Sequence, residues 1–162
     1  MSTDRIEKQI LLGATPDRVW SAISDAQKFG TWFGVALDGP FVEGQRLTGV
    51  ISPTQVDPEV ARHQEAFAGK QLELLVERIE PLRRFSFRWH PTALEPDFDR
   101  AREPATLVAF ELQSLGDGVL LTVSESGFDR LPTARRNRAY AANDAGWGLQ
   151  THLIEKYLAQ TQ

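Results

Sequence analysis

The chain has 162 residues, of which 41% are apolar and 25% charged, with a formal net charge of −4 and no cysteine. That length and balance suit a single globular domain over 1–162 with one core. The composition excludes disulfides, thiolate metal sites and cysteine nucleophiles, and the acidic balance argues against a nucleic-acid partner, which selects a basic surface.

Met1 to Gln9 is polar and charged, without a basic stretch followed by an apolar one of signal-peptide length, so a cytoplasmic protein is expected. Apolar runs extend only a few residues, against the roughly 20 needed to span a bilayer, and no membrane span is expected.

The first element is a strand in which Ile6, Lys8 and Ile10 alternate with Glu7, Gln9 and Leu11 without a clear buried face. Thr15, Pro16 and Asp17 have the order of a helix N-cap, first residue and acidic first turn, with Val19, Trp20 and Ile23 on one face. Asp25 caps a second short helix through Phe29, and Gly30 and Gly34 bracket Trp32 and Phe33.

From there the period becomes extended, with runs at Val35 to Leu37, Arg46 to Ile51, Gln71 to Ile79, Phe85 to His90, Thr106 to Leu115 and Val119 to Ser126. Six successive strands imply an antiparallel meander, whose sharpest hairpin signal is Gly116, Asp117 and Gly118. Two excursions interrupt it. Asp57, Pro58 and Glu59 start a small helix that Gly69 would end, and Pro91 to Pro104 carries three prolines without periodicity, as an irregular loop does. After Pro132 helical spacing runs to the end, with Ala139, Ala142, Gly146, Leu149, Leu153 and Tyr157 on one side and Trp147, Ile154 and Leu158 widening the stripe.

The order is α+β: one strand, two short helices, six strands and one long helix. Only the last helix is large enough to cover the sheet. A curved antiparallel sheet of about seven strands wrapped around it would enclose more volume than the helix fills.

Four stretches carry a resemblance: "ATPDRVWSAISDAQKFGTWFG", "GKQLELLVERIEPLRRFSFRWHP", "LLTVSESGFDRLP" and "NDAGWGLQTHLIEKYL". Together they resemble the SRPBCC or START-like (helix-grip) superfamily, in its branch related to the activator of a heat-shock chaperone ATPase. That resemblance implies the helix-grip fold, Trp20 in the core of the first helix, Trp32 at the turn into the sheet, Phe85, Phe87 and Trp89 in a central strand, and Trp147 on the gripping helix. Thr151 departs from it, standing where a large apolar residue is common; a shorter side chain there would enlarge a pocket or supply a hydroxyl.

Motifs for catalysis are sparse. His63, His90 and His152 lie on separate elements without the i, i+4 spacing of a helical metal pair, so no metal is expected. The nucleophile elbow, the phosphate loop and the dinucleotide fingerprint are all missing, and no cofactor is expected. Glu125 shares a strand face with Val119, Leu121 and Val123. Either it points inward, where desolvation would suit it to proton transfer or to orienting a ligand, or strand-end twist turns it to solvent. Arg88 and His90 fall on the outer face of their strand. Arg135, Arg136 and Arg138 form a short basic cluster that reads as a solvated face or, less simply, an anion contact.

The expected ligand-binding set is Phe87, Trp89, Phe110, Val123, Glu125, Trp147 and Thr151. Three functions stay open at this point. The first is binding of a small apolar or aromatic molecule between the sheet and the last helix. The second is a cyclase or dehydratase using the same cavity, with Glu125 moving a proton and His90 or Tyr140 assisting. The third is a chaperone-associated module that meets a protein partner.

Overall fold

Three of the helices start where a side chain satisfies free N–H groups. A computed structural model describes residues 4–95, 98–99 and 103–161. In it Thr15 accepts from the Arg18 N–H to begin α1 (Pro16–Ser24), and Asp25 accepts from Gln27 and Lys28 to begin α2 (Ala26–Phe33). The second helix runs past Phe29, where it was expected to stop. Gly30 lies inside it because the chain passes close: a Cβ there would come 2.1 Å from the Val35 carbonyl oxygen. The true stop is Gly34, in the left-handed conformation that glycine adopts most easily.

The strands are β1 (Arg5–Leu12), β2 (Val35–Leu37), β3 (Arg46–Ile51), β4 (Gln71–Glu80), β5 (Arg84–Trp89), β6 (Thr106–Leu115) and β7 (Gly118–Ser126). They form one antiparallel sheet in the order β1-β7-β6-β5-β4-β3-β2, a meander whose last strand pairs with the first. Gly116 and Asp117 make the two-residue turn between β6 and β7, with Gly116 at φ 57°. Register settles the ambiguous face of β1: Ile6, Lys8, Ile10 and Leu12 lie opposite Glu125, Val123, Leu121 and Val119, so they share the inner face, and Lys8 reaches out to Asp144 at 2.9 Å.

The long helix α4 (Thr133–Gln160) buries five residues of the expected stripe, and two others of that stripe fall outside. Ala139, Trp147, Leu153, Ile154 and Leu158 are buried, whereas Ala142 is exposed and Leu149 is 49% exposed. Asn143 continues the inward line one turn before Trp147, and a polar residue there hides the stripe from an apolar pattern. Trp20 is also corrected: Val19, Ala22 and Ile23 bury α1, and Trp20 packs on the core only from its edge. Phe29, Trp32, Phe33, Phe41, Phe85, Phe87 and Phe110 form a continuous set of ring contacts at the centre.

The small helix α3 (Pro58–Gln64), followed by a short 3-10 turn through Phe67, is tied to α4 by Asp57. One Asp57 oxygen accepts from Glu59 and Val60; the other accepts from Lys156 Nζ at 3.0 Å and lies 3.7 Å from His152 Nε2. The Val60 N–H, then Lys156, hold its carboxyl below the ordinary carboxylate range. In the loop after β5, residues 91–95, 98–99 and 103–105 are irregular; Pro96 and the rest of that expected loop lie outside the described residues. Glu103 bonds both Thr92 and Arg135, and Arg138 grips Glu95 at 2.9 and 3.2 Å. Arg136 donates to the carbonyls of Asp129 and Leu131. The basic cluster is therefore more than a solvated face: it straps the loop and the preceding turn to α4, with Arg138 the most exposed of the three.

Candidate functional site

The alternation of β7 sends Val119, Leu121, Val123 and Glu125 to the inner face, and all four are buried. Glu125 is 0% exposed, with Ile6 and Val108 as its neighbours on the adjoining strands. A carboxylate in such surroundings is costly unless its oxygens are satisfied. Here four donors converge. Oε1 accepts from Asn143 Nδ2 at 2.9 Å and Trp147 Nε1 at 2.8 Å, while Oε2 accepts from Trp89 Nε1 at 2.8 Å and Thr106 Oγ1 at 2.6 Å. Two carboxylate oxygens offer about four lone-pair positions, so every acceptor position is occupied. Glu125 thereby joins β5, β6, β7 and α4 at one point.

The indole N–H is tryptophan's only donor. With both N–H groups turned onto Glu125, Trp89 and Trp147 present carbon edges and faces to the space above. Their rings lie 5.8 Å apart, and Phe33, from the end of α2, stands 6.0 Å from each. Above this triangle are two adjoining clefts that share Phe33, Trp89 and Asn143. One, of about 90 Å³, also meets Gly146, Trp147 and Gln150; the other, of about 180 Å³, is bordered by Ile51, Leu72, His90, Pro91, Ala93 and Leu94.

Between sheet and helix the expected enclosed space is filled by aromatic rings in this conformation. A gap among Trp32, Phe110, Leu121, Val123, Trp147 and Ile154 is too narrow for a water molecule. A larger groove of about 530 Å³ lies near the start of α2, but its acids are already engaged: Asp25 caps that helix and Asp38 accepts from the Thr48 N–H.

The structure thus brings together Trp89, Trp147 and Glu125, with Phe87 and Phe110 packed beneath the tryptophans at 5.4 and 5.8 Å between rings. Val123 lines the narrow gap below. Thr151 also borders that gap, but its hydroxyl donates back to the Gly148 carbonyl at 2.9 Å within its own helix. His90 departs from its outward assignment. Strand β5 ends at Trp89, and the following turn folds the imidazole beside Phe98 at the cleft wall, with Nδ1 buried and without a partner. Tyr140 lies elsewhere, donating to the Arg5 carbonyl.

Sequence reasoning missed Phe33, Thr106, Asn143 and Gln150. Asn143 was within reach, since i, i+4 spacing puts it on the Trp147 face; Thr106 and Phe33 meet the site only through tertiary folding. Among the described residues there is no group of three or more His, Asp or Glu side chains placed to hold a metal, and no helix is long and apolar enough to cross a membrane.

In sequence, residues 13–159 match the family described as Activator of Hsp90 ATPase homolog 1-like protein. The chain belongs to that family. Its fold is the SRPBCC, helix-grip architecture, and the Activator of Hsp90 ATPase homolog 1-like fold recurs in solved structures of low identity. Protein MLL2253 from Mesorhizobium loti superposes with a TM-score of 0.71 at 21% identity, covering 98% of both chains. The Aha1 protein from Colwellia psychrerythraea, solved as a dimer, gives 0.64 at 12% identity over 93% of this chain and 92% of its own. DynU16, a protein of the dynemicin biosynthetic locus, gives 0.66 at 22% identity over 96% of this chain but 47% of its own. No curated protein matches the chain in sequence.

Proposed function

We propose that this family member binds a small apolar or aromatic molecule in the clefts over Phe33, Trp89 and Trp147. The observation that carries the reading is the Glu125 junction: a fully buried carboxylate takes both indole N–H groups and leaves two rings held as an apolar wall at a cleft mouth. Two indoles turned in this way offer a large apolar contact area. The clefts fall below the about 300–1,000 Å³ typical of ligand pockets, which suits a ligand of one or two rings. A relative from a biosynthetic locus is consistent with small-molecule work.

Glu125 serves here as a positioning residue, because both oxygens already hold two donors and a transferable proton would displace one of them. The test is a binding screen of aromatic, polyketide-like and lipid-like compounds, followed by tryptophan fluorescence and thermal stability. Saturable binding that raises Tm and is weakened by Phe33→Ala is expected; no binder across the library would overturn the reading.

A further inference from the structure

Trp147 stands between two spaces. On one side its indole lines the outer cleft with Phe33, Trp89 and Gln150; on the other it lines the narrow gap with Trp32, Phe110 and Ile154. The residue is 3% exposed and, with Gln150, forms the partition between them.

The helix that carries this partition is weak at that place. Gly146 and Gly148 flank Trp147 in the interior of a 28-residue helix, and a Cβ at either would meet nothing within 4 Å. Neither has a positive φ, so neither packing nor backbone geometry requires glycine. Glycine loosens a helix interior relative to alanine. The Thr151 hydroxyl bonds back to the Gly148 carbonyl, a contact that competes with regular helix bonding and bends helices. Beside them Gln150 donates through Nε2 to the Phe33 carbonyl at 3.0 Å, while its Oε1 is buried without a partner. An acceptor shut away from water with nothing to bond is unfavourable in the closed form.

We infer that Trp147 is a movable plug: the helix yields at Gly146 and Gly148, the indole withdraws from Glu125 Oε1, which keeps its bond from Asn143 Nδ2, and cleft and gap merge into one binding chamber for an aromatic molecule that bears an N–H or O–H donor and no negative charge. The inference rests on the small-molecule reading above and deepens it. The donor is set by Gln150, a residue that borders both spaces and whose Oε1 has no partner among the described residues. An anion is disfavoured because the withdrawn indole uncovers the Glu125 carboxylate, and no lysine or arginine lines either cleft or the gap among the described residues. A ring fits because aromatic side chains form most of the walls, and apolar contact with them supplies the affinity.

The test uses the full chain with 2-naphthol, 2-methylnaphthalene and 2-naphthoate as probes, and Gly148→Ala as the variant. Gly148 is exposed and lines neither space, so an added methyl acts through helix stiffness alone. Indole N–H hydrogen exchange is read at Trp147, with Trp32, whose N–H donates to the Ala22 carbonyl at 2.9 Å, as the internal reference. Gly148→Ala is expected to slow exchange at Trp147 about fivefold, leave Trp32 unchanged, and raise the Kd for 2-naphthol by a similar factor, since binding requires the open form. The wild type should bind 2-naphthol more tightly than 2-methylnaphthalene and 2-naphthoate least. If 2-naphthol binds but Gly148→Ala alters neither exchange nor Kd, the plug is overturned and the small-molecule reading stands. Binding of 2-naphthoate as tight as 2-naphthol overturns the ligand class. If exchange responds to Gly148→Ala but no probe binds the wild type, the binding chamber is overturned and the small-molecule reading loses this ligand class.

Discussion

Trp89 and Trp147, from a sheet strand and the covering helix, place their indole N–H groups on opposite oxygens of one buried carboxylate, each at 2.8 Å, with their rings 5.8 Å apart. The sheet and α4 are therefore joined at the cleft by hydrogen bonds as well as by packing, and the junction is sensitive to the chemistry of a single side chain.

Replacing that carboxylate by an amide tests the junction. Glu125→Gln turns one acceptor into a donor. The Thr106 hydroxyl can reverse on the Oε2 side and the Asn143 amide can flip to present Oδ1 on the Oε1 side, but neither indole N–H can become an acceptor. At least one buried indole N–H loses its acceptor in either orientation of the amide. We expect a loss of about 2–4 kcal/mol and a fall in Tm of roughly 5–15 °C, measured by thermal denaturation. An unchanged Tm would mean that the four donors do not depend on a carboxylate.

Trp147 contributes both a ring and a donor, and two substitutions separate them. Trp147→Phe keeps most of the ring and loses the bond to Glu125, at about 2 kcal/mol. Trp147→Ala also leaves a void, at about 3–5 kcal/mol. Denaturant unfolding of the two variants should show that order, and equal losses would assign the whole effect to the hydrogen bond.

Asp57 predicts a pH dependence. The Val60 N–H and Lys156 lower its folded pKa, so its charge stabilises the fold above the unfolded value of about 3.9, and that contribution is lost as pH falls through the folded value. Asp57→Asn keeps the helix cap and removes the charge. Wild type should be the more stable at pH 7, and the difference in Tm should shrink steadily from about pH 5 to pH 2. A difference that stays constant across that range would contradict this account.

The strap from α4 to the loop after β5 is expected to be unequal. Arg135 pairs with Glu103, whose side chain is 6% exposed, while Arg138 is itself 58% exposed. Arg135→Ala strands a buried carboxylate and should cost about 2–4 kcal/mol, with faster amide exchange around Thr92 and Glu103. Arg138→Ala should cost under about 1 kcal/mol.

Much of this fold is local and therefore legible. Caps at Thr15, Asp25 and Asp57 announced three helices, and period-two patterning placed six strands within a residue or so of their ends. The same alternation already offered Glu125 as an inward carboxylate. What failed was non-local. Gly30 looked like a helix stop because nothing in the sequence shows that the Val35 carbonyl approaches it. The stripe of α4 was drawn with Ala142 and Leu149 and without Asn143, because Asn143 is polar and joins the inward line only through Glu125. His90 was sent outward because strand parity ended one residue earlier, at Trp89. Glu125 could be seen, but the donors that explain it come from β5, β6 and α4, and only the folded chain brings them together.

The most direct measurement is the two-dimensional NMR spectrum of the four indole N–H groups, recorded while the tightest compound from the screen is titrated to saturation. Trp20 lies at the core's edge, Trp32 is bonded to Ala22, and Trp89 and Trp147 wall the cleft. The account predicts large shifts for Trp89 and Trp147 and an unmoved Trp20. A saturable response confined to Trp20, or none at Trp89 and Trp147, would contradict it.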